Sequence, residues 1–210
     1  MDFVNQKKII REDFLLKRDK LKENFTNENK NELILNLDKF LNNTKYFSIA
    51  GYYPIGSEID CLEILENFQK KGIHTSLPFV KNDKFIEFRE WRKQDILIED
   101  IFNIPAPKKR SIVIPDLIII PLVSFDKMGF RLGFGSGIYD RSLPNFPKSK
   151  KIGLAFSGQL NKRELPVSEF DYKLDAVVTE EDNKNLLKAS GLEKAMTKIK
   201  KIADKFDDVE

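Results

Sequence analysis

Leu117-Ile118-Ile119-Ile120, within the apolar stretch 116–126, limits the possible folds of this chain more than any other feature. A strand with one wet face alternates apolar and polar residues, and this one does not. It therefore needs cover on both faces, as in the middle of a parallel sheet. The stretch that follows, GFRLGFGSGIYDR at 129–141, spaces Gly133, Gly135 and Gly137 two apart. GIYDRSL can then open a helix. Strand, glycine turn and helix start together aim backbone N–H groups at an anion, with the helix dipole behind them. Arg131 and Arg141 can pair with phosphate or carboxylate oxygens, and Asp140 can hold a hard cation such as Mg²⁺. The pattern is neither G-x-G-x-x-G nor G-x-x-x-x-G-K-[ST]. The plainer alternative is a tight turn with a surface charge pair.

Around this centre the chain alternates helices and short strands. Ile10, Phe14, Leu21 and Phe25 predict a helix over about 4–24, from which Lys7 and Arg11, four apart, project on one face. Those two cations are either a solvated face or a pair aimed at phosphates. Thr26 can cap a second helix carrying Leu33, Leu37, Phe40 and Leu41. Strands are expected at 46–50, 74–78, 84–88, 117–120, 151–156 and 176–179, with 92–110 irregular. Ser57 is expected to cap a helix from Glu58 towards Lys71, which puts Glu58 in a first helical turn just past a strand end. There it either complements the helix dipole or meets a ligand. A last helix is expected near 185–206. The expected fold is one α/β domain over 1–210, a mostly parallel sheet flanked by helices on both faces, with residues 1–45 as helices packed on it.

Several chemistries are excluded by inventory. With one histidine and one cysteine, the chain cannot build a zinc site without carboxylates doing most of the ligation. His74 reads as structural and Cys61 as helix packing, and Ser136 does not sit in G-x-S-x-G. A net charge of +3 from 36 basic and 33 acidic residues does not call for nucleic acid, and the lysine clusters at 7–8, 108–110 and 148–151 read as solvated surface. An RNA-associated role would rest on those clusters alone. No apolar run is long enough for a membrane span, and the first residues lack a signal-peptide core. With a single cysteine, these features lead us to expect a cytoplasmic protein, a monomer or weak dimer. The remaining chemistry is that of Glu58, Asp140, Asp171, Arg131, Lys7 and Arg11, which suits phosphate handling with Mg²⁺.

FDKMGFRLGFGSGIYDR resembles the signature of the 5-formyltetrahydrofolate cyclo-ligase (methenyltetrahydrofolate synthetase) family. Lys7-Lys8-x-x-Arg11, the segment 52–60, LPFV at 77–80, NIPAP at 103–107, GLAFSGQ at 153–159, LPVSEFD at 165–171 and AVVTE at 176–180 follow in the family's order. The resemblance implies an enzyme using ATP and Mg²⁺ to convert 5-formyltetrahydrofolate, a reduced folate, into 5,10-methenyltetrahydrofolate. It implies that Lys7, Arg11 and the loop Arg131, Leu132, Gly133, Phe134, Gly135, Ser136, Gly137, Ile138 and Tyr139 bind ATP. Tyr53, Glu58, Phe134 and Ile138 would meet the folate, Asp140 and Asp171 would hold Mg²⁺, and Arg131 and Asp140 would serve catalysis. Three positions depart from the family. Ile138 stands where tyrosine is usual, Ser136 where some members carry lysine, and Ala106 where many carry glutamate. Those departures keep open a relative that binds folate or nucleotide without turnover.

Overall fold

The structure is a computed structural model and describes residues 3–41, 45–82 and 85–181. Two helices open the chain, α1 (Phe3–Glu23) and α2 (Asn27–Leu41). Thr26 begins the second as expected: its Oγ1 accepts from the Asn29 backbone N–H at 3.2 Å. Then follow β1 (Ser48–Ala50), α3 (Cys61–Lys70), β2 (His74–Val80) and β3 (Ile86–Glu90). The segment expected to be irregular forms a small hairpin, β4 (Leu97–Glu99) and β5 (Pro105–Pro107). Its turn is built locally, since the Asp100 carboxylate accepts from the N–H groups of Phe102 and Ile104. Next come β6 (Leu117–Ile120), a hairpin of β7 (Ser124–Phe125) and β8 (Arg131–Leu132), the five-residue α4 (Ile138–Ser142), β9 (Lys150–Leu154) and β10 (Ala176–Val178). The expected helix near 185–206 lies outside the described residues.

Six strands form one sheet in the order β10-β9-β6-β1-β2-β3, parallel except for β3 on its edge. The Leu-Ile-Ile-Ile run lies near the middle of it, and all four side chains are buried. They point alternately to two cores. Leu117 and Ile119 meet α2 and α3 with Leu33, Leu37, Leu65 and Phe68. Ile118 and Ile120 meet Ile138, Leu143 and Phe146 on the other face. This is the two-sided cover that the run demanded.

Two local expectations are corrected. The helix after β1 starts at Cys61, not Glu58, and its cap is Asp60, whose carboxylate accepts from the Leu62 N–H. Glu58 and Ser57 stay in the preceding loop, where both are buried, instead of starting the helix. His74 begins β2 and is exposed there rather than packed inside an apolar strand. Cys61 is fully buried against the sheet, as expected.

Candidate active site

The sheet order reverses between β1 and β6: the chain leaves β1 for β2 on one side, and leaves β6 for β9 on the other. At such a point the loops beyond the two strands diverge and leave a crevice at their carboxyl ends. Here the crevice is a cleft of about 700 Å³. Residues 52–58 after β1 form one wall, and the glycine loop after β8 forms another. The amino-terminal half of α1 contributes Lys7 and Arg11, and the β4–β5 turn contributes Phe102 and Asn103. The residues nominated from the sequence line this one cleft, namely Lys7, Arg11, Tyr53, Glu58, the loop 131–139, Asp140 and Asp171, except Arg141, which lies outside the lining and donates to the Ser136 carbonyl.

One end of the cleft is rich in cations. Arg11 donates its Nε–H to the Gly133 carbonyl at 2.8 Å, which holds the helix to the loop. Lys7 pairs with Asp171 at 2.6 Å, and Arg131 pairs with Asp140 at 3.1 Å. Burial pushes the Asp171 carboxyl up, but hydrogen bonds from Lys7 and Ser168 outweigh it and leave the group below its ordinary value. Asp140 also accepts from the Tyr172 N–H. The buried Nε of Arg131 has no partner among the described residues, a donor waiting for an acceptor. Gly135 has φ +113° and Gly137 φ +65°, left-handed conformations that glycine adopts without strain, with the Arg11 and Arg141 guanidinium groups beside them. A cradle of backbone donors and cations fits a polyphosphate. Among the described residues no group of three or more His, Cys, Asp or Glu could hold a metal alone. Two carboxylates beside a phosphate site nevertheless fit Mg²⁺, which takes much of its shell from phosphate and water.

The other end is aromatic and carries one buried acid. Glu58 is 4% exposed. Its Oε2 accepts from the Ile55 N–H at 2.8 Å, while the buried Oε1 accepts no hydrogen bond. Burial pushes its carboxyl from the ordinary 4.5 up to about 7, against the opposing pull of Arg18 and Lys22. Phe134 is 48% exposed, and Tyr53 lines the wall formed by the loop after β1. Ile138 lines the cleft, yet it is buried in the core cluster that also holds Val80 and Leu143. Ser136 stays local: its hydroxyl accepts from the Ile138 N–H.

A model of the 5-formyltetrahydrofolate cyclo-ligase family matches residues 4–180. The chain belongs to the 5-formyltetrahydrofolate cyclo-ligase family. It is 34% identical to the Escherichia coli K12 5-formyltetrahydrofolate cyclo-ligase over 141 residues, covering 63% of this chain and 77% of that one. It is 33% identical to the Mycoplasma pneumoniae cyclo-ligase over 136 residues, 64% of this chain and 73% of the relative. Its fold is similar to the NMR structure of Aquifex aeolicus 5,10-methenyltetrahydrofolate synthetase, with a TM-score of 0.71 and 32% identity over 83% of this chain and 90% of that one. The chain is thus an enzyme of the cyclo-ligase family, a ligase of folate metabolism.

Sequence reasoning missed two contributors to the cleft. The segment that carries the β4–β5 turn reads as irregular because Pro105 and Pro107 bracket Ala106, and proline interrupts a strand pattern. Its turn residue is Asn103, the one non-glycine residue with positive φ among the described residues. The other is Arg18, buried to 2% behind the cleft wall. Its signal was helical phase, because eleven residues past Lys7 return to within about 20° of the same face.

Proposed function

We propose that this cyclo-ligase family member couples Mg·ATP to the conversion of 5-formyltetrahydrofolate into 5,10-methenyltetrahydrofolate, releasing ADP and phosphate. The observation that carries the reading is the division of one cleft into a cationic, glycine-lined end and an aromatic end with a single buried acid. Lys7, Arg11 and the loop 131–139 bind the triphosphate, and the free Arg131 Nε–H has phosphate oxygens within its chemistry. Asp140 and Asp171 hold Mg²⁺, which when bound screens phosphate charge. Glu58 accepts N–H groups of the folate ring system through its unpaired Oε1. Phe134 and Tyr53 flank that ring.

The reaction needs no strong base. The formyl oxygen attacks the γ-phosphorus and ADP leaves, giving a phosphorylated formyl group. N10 attacks the formyl carbon, the carbon–oxygen bond breaks, phosphate departs with that oxygen, and N10 loses its proton. Catalysis is therefore positioning plus charge neutralisation, which this set of side chains supplies. A cytoplasmic monomer or weak dimer acting on a reduced folate belongs to the same reading.

The test mixes protein, Mg·ATP and 5-formyltetrahydrofolate and follows the near-ultraviolet band of the methenyl product. Growth dependent on both ATP and Mg²⁺ is expected. No band, with ATP still raising the melting temperature, would favour the second reading of ligand binding without turnover. Ile138, mostly buried where the family has tyrosine, is the observation behind that second reading.

A further inference from the structure

Arg18 is a poor candidate for simple packing. A guanidinium buried to this depth gives up its hydration and must recover it from fixed partners. Its Nε donates to Ser57 Oγ at 3.0 Å, and one terminal nitrogen donates to the Leu122 carbonyl at 3.2 Å. The same nitrogen is 3.7 Å from Glu58 Oε1, the oxygen that accepts no hydrogen bond. Its carbon lies 5.1 Å from the centre of the Phe134 ring, so the guanidinium underlies that ring. These partners come from three segments: the loop after β1, the segment leaving β6, and the glycine loop. Arg18 thus spans the point where the sheet order reverses. It touches the two side chains, Glu58 and Phe134, that form the folate end of the cleft, while being too buried to be reached from the cleft itself.

We propose that Arg18 is the positioning residue of the folate half-site, orienting the Glu58 carboxylate and the Phe134 ring together while touching neither ligand. The inference rests on the reading that Glu58 meets the folate. A planar fork suits this task because its donors and its faces act at once: edge-on it aims the carboxylate, and face-on it supports the ring. Burial disfavours the charged Glu58 carboxylate, and its Ile55 N–H bond and this guanidinium partly offset that, with Lys22 contributing from the next turn of α1. Losing Arg18 leaves the carboxylate without its nearest cation and the ring without its support. The phosphate end keeps its own contacts at Lys7, Arg11 and Arg131.

The experiment is calorimetric titration of wild type, Arg18→Met, Arg18→Lys and Glu58→Gln with 5-formyltetrahydrofolate alone, and separately with a non-hydrolysable ATP analogue and Mg²⁺. Arg18→Met is expected to weaken folate at least fivefold and the nucleotide analogue less than twofold. Arg18→Lys should recover part of the folate loss, since it restores charge without the fork. Folate affinity within twofold of wild type in Arg18→Met, or equal weakening of both ligands, would overturn the proposal. Glu58→Gln separates the two layers. If it weakens folate while Arg18→Met does not, only the role of Arg18 falls; if it leaves folate binding unchanged, the reading of Glu58 falls and takes this inference with it. Should Arg18→Met not fold, Ser57→Ala, which removes the acceptor of the Arg18 Nε–H, must weaken folate selectively, and wild-type affinity there would refute the idea.

Discussion

Replacing Gly135 by alanine tests the glycine loop directly, and Gly72 supplies the control. Gly135 has φ +113° in the loop between β8 and α4. An alanine Cβ there would rest 3.4–3.7 Å from the Arg11 guanidinium, an ordinary contact, so crowding is not the obstacle. The obstacle is the backbone: a residue with a Cβ held in such a region is strained by about 1–3 kcal/mol. The loop is exposed and can relax into an allowed conformation while empty, so the melting temperature should move by no more than a few degrees. A ligand that needs the original loop must restore the strain on binding. The same 1–3 kcal/mol then emerges as roughly a 5- to 150-fold weaker dissociation constant for the nucleotide. Gly72, just after α3, has φ +78° and nothing within 4 Å of a built Cβ. Gly72→Ala should cost about 1 kcal/mol, a fall of about 2–4 °C, with ligand affinities unchanged. Calorimetric titration of the ATP analogue with Mg²⁺ and thermal melts of both variants decide the matter. A folded Gly135→Ala protein that binds the analogue as wild type does would show that this loop conformation is not the nucleotide cradle.

Glu58→Gln should change how stability depends on pH. A carboxyl whose folded pKa is raised contributes stability below its unfolded value of 4.5 and loses it as pH rises through about 7. That loss is on the order of 3 kcal/mol between those values. Thermal melts from pH 4.5 to 7.5 should show the wild type falling relative to Glu58→Gln; parallel curves would contradict the buried acid. Asp140→Asn should lower turnover about 100-fold or more while leaving the melting temperature within a few degrees, because the amide oxygen can still accept from Arg131 and the Tyr172 N–H; full turnover would remove Asp140 from the reaction. Arg11→Ala should raise the apparent KM for ATP more than that for folate, since Arg11 ties α1 to the Gly133 carbonyl, and steady-state kinetics with each substrate varied would reveal a folate-side effect instead. Gly153→Ala in β9 should destabilise by about 1–3 kcal/mol through overpacking, because its Cβ would meet Leu122 Cδ2 at 2.6 Å and Leu174 Cδ1 at 3.0 Å. An unchanged denaturant midpoint would show that both leucines yield freely.

The local order of the chain was legible because local physics wrote it. The Leu117–Ile120 run could satisfy itself only under cover on both faces, and Thr26 could cap α2 with an oxygen three residues from its target. Where a local signal met a long-range contact, the sequence alone did not choose. Ser57 was expected to cap the helix after β1, but Asp60 caps it, while Ser57 accepts from Arg18 and Glu58 stays in the loop beside it. The glycine loop was legible from its spacing, yet the walls of the cleft it lines were beyond any local pattern.

What only the tertiary structure decided is which distant charges meet. Lys7 reaches Asp171 across 164 residues of sequence, and Arg18 reaches the Ser57–Glu58 loop across about 40. The residue types for phosphate and for a buried acid were present in the sequence by itself, as was the face of α1 from which Lys7, Arg11 and Arg18 project. Whether that face met water or a ligand was left open there. A helix has the same periodicity in either setting, and only the packing of α1 over the switch point leaves Lys7 and Arg11 partly buried in the cleft and Arg18 fully buried.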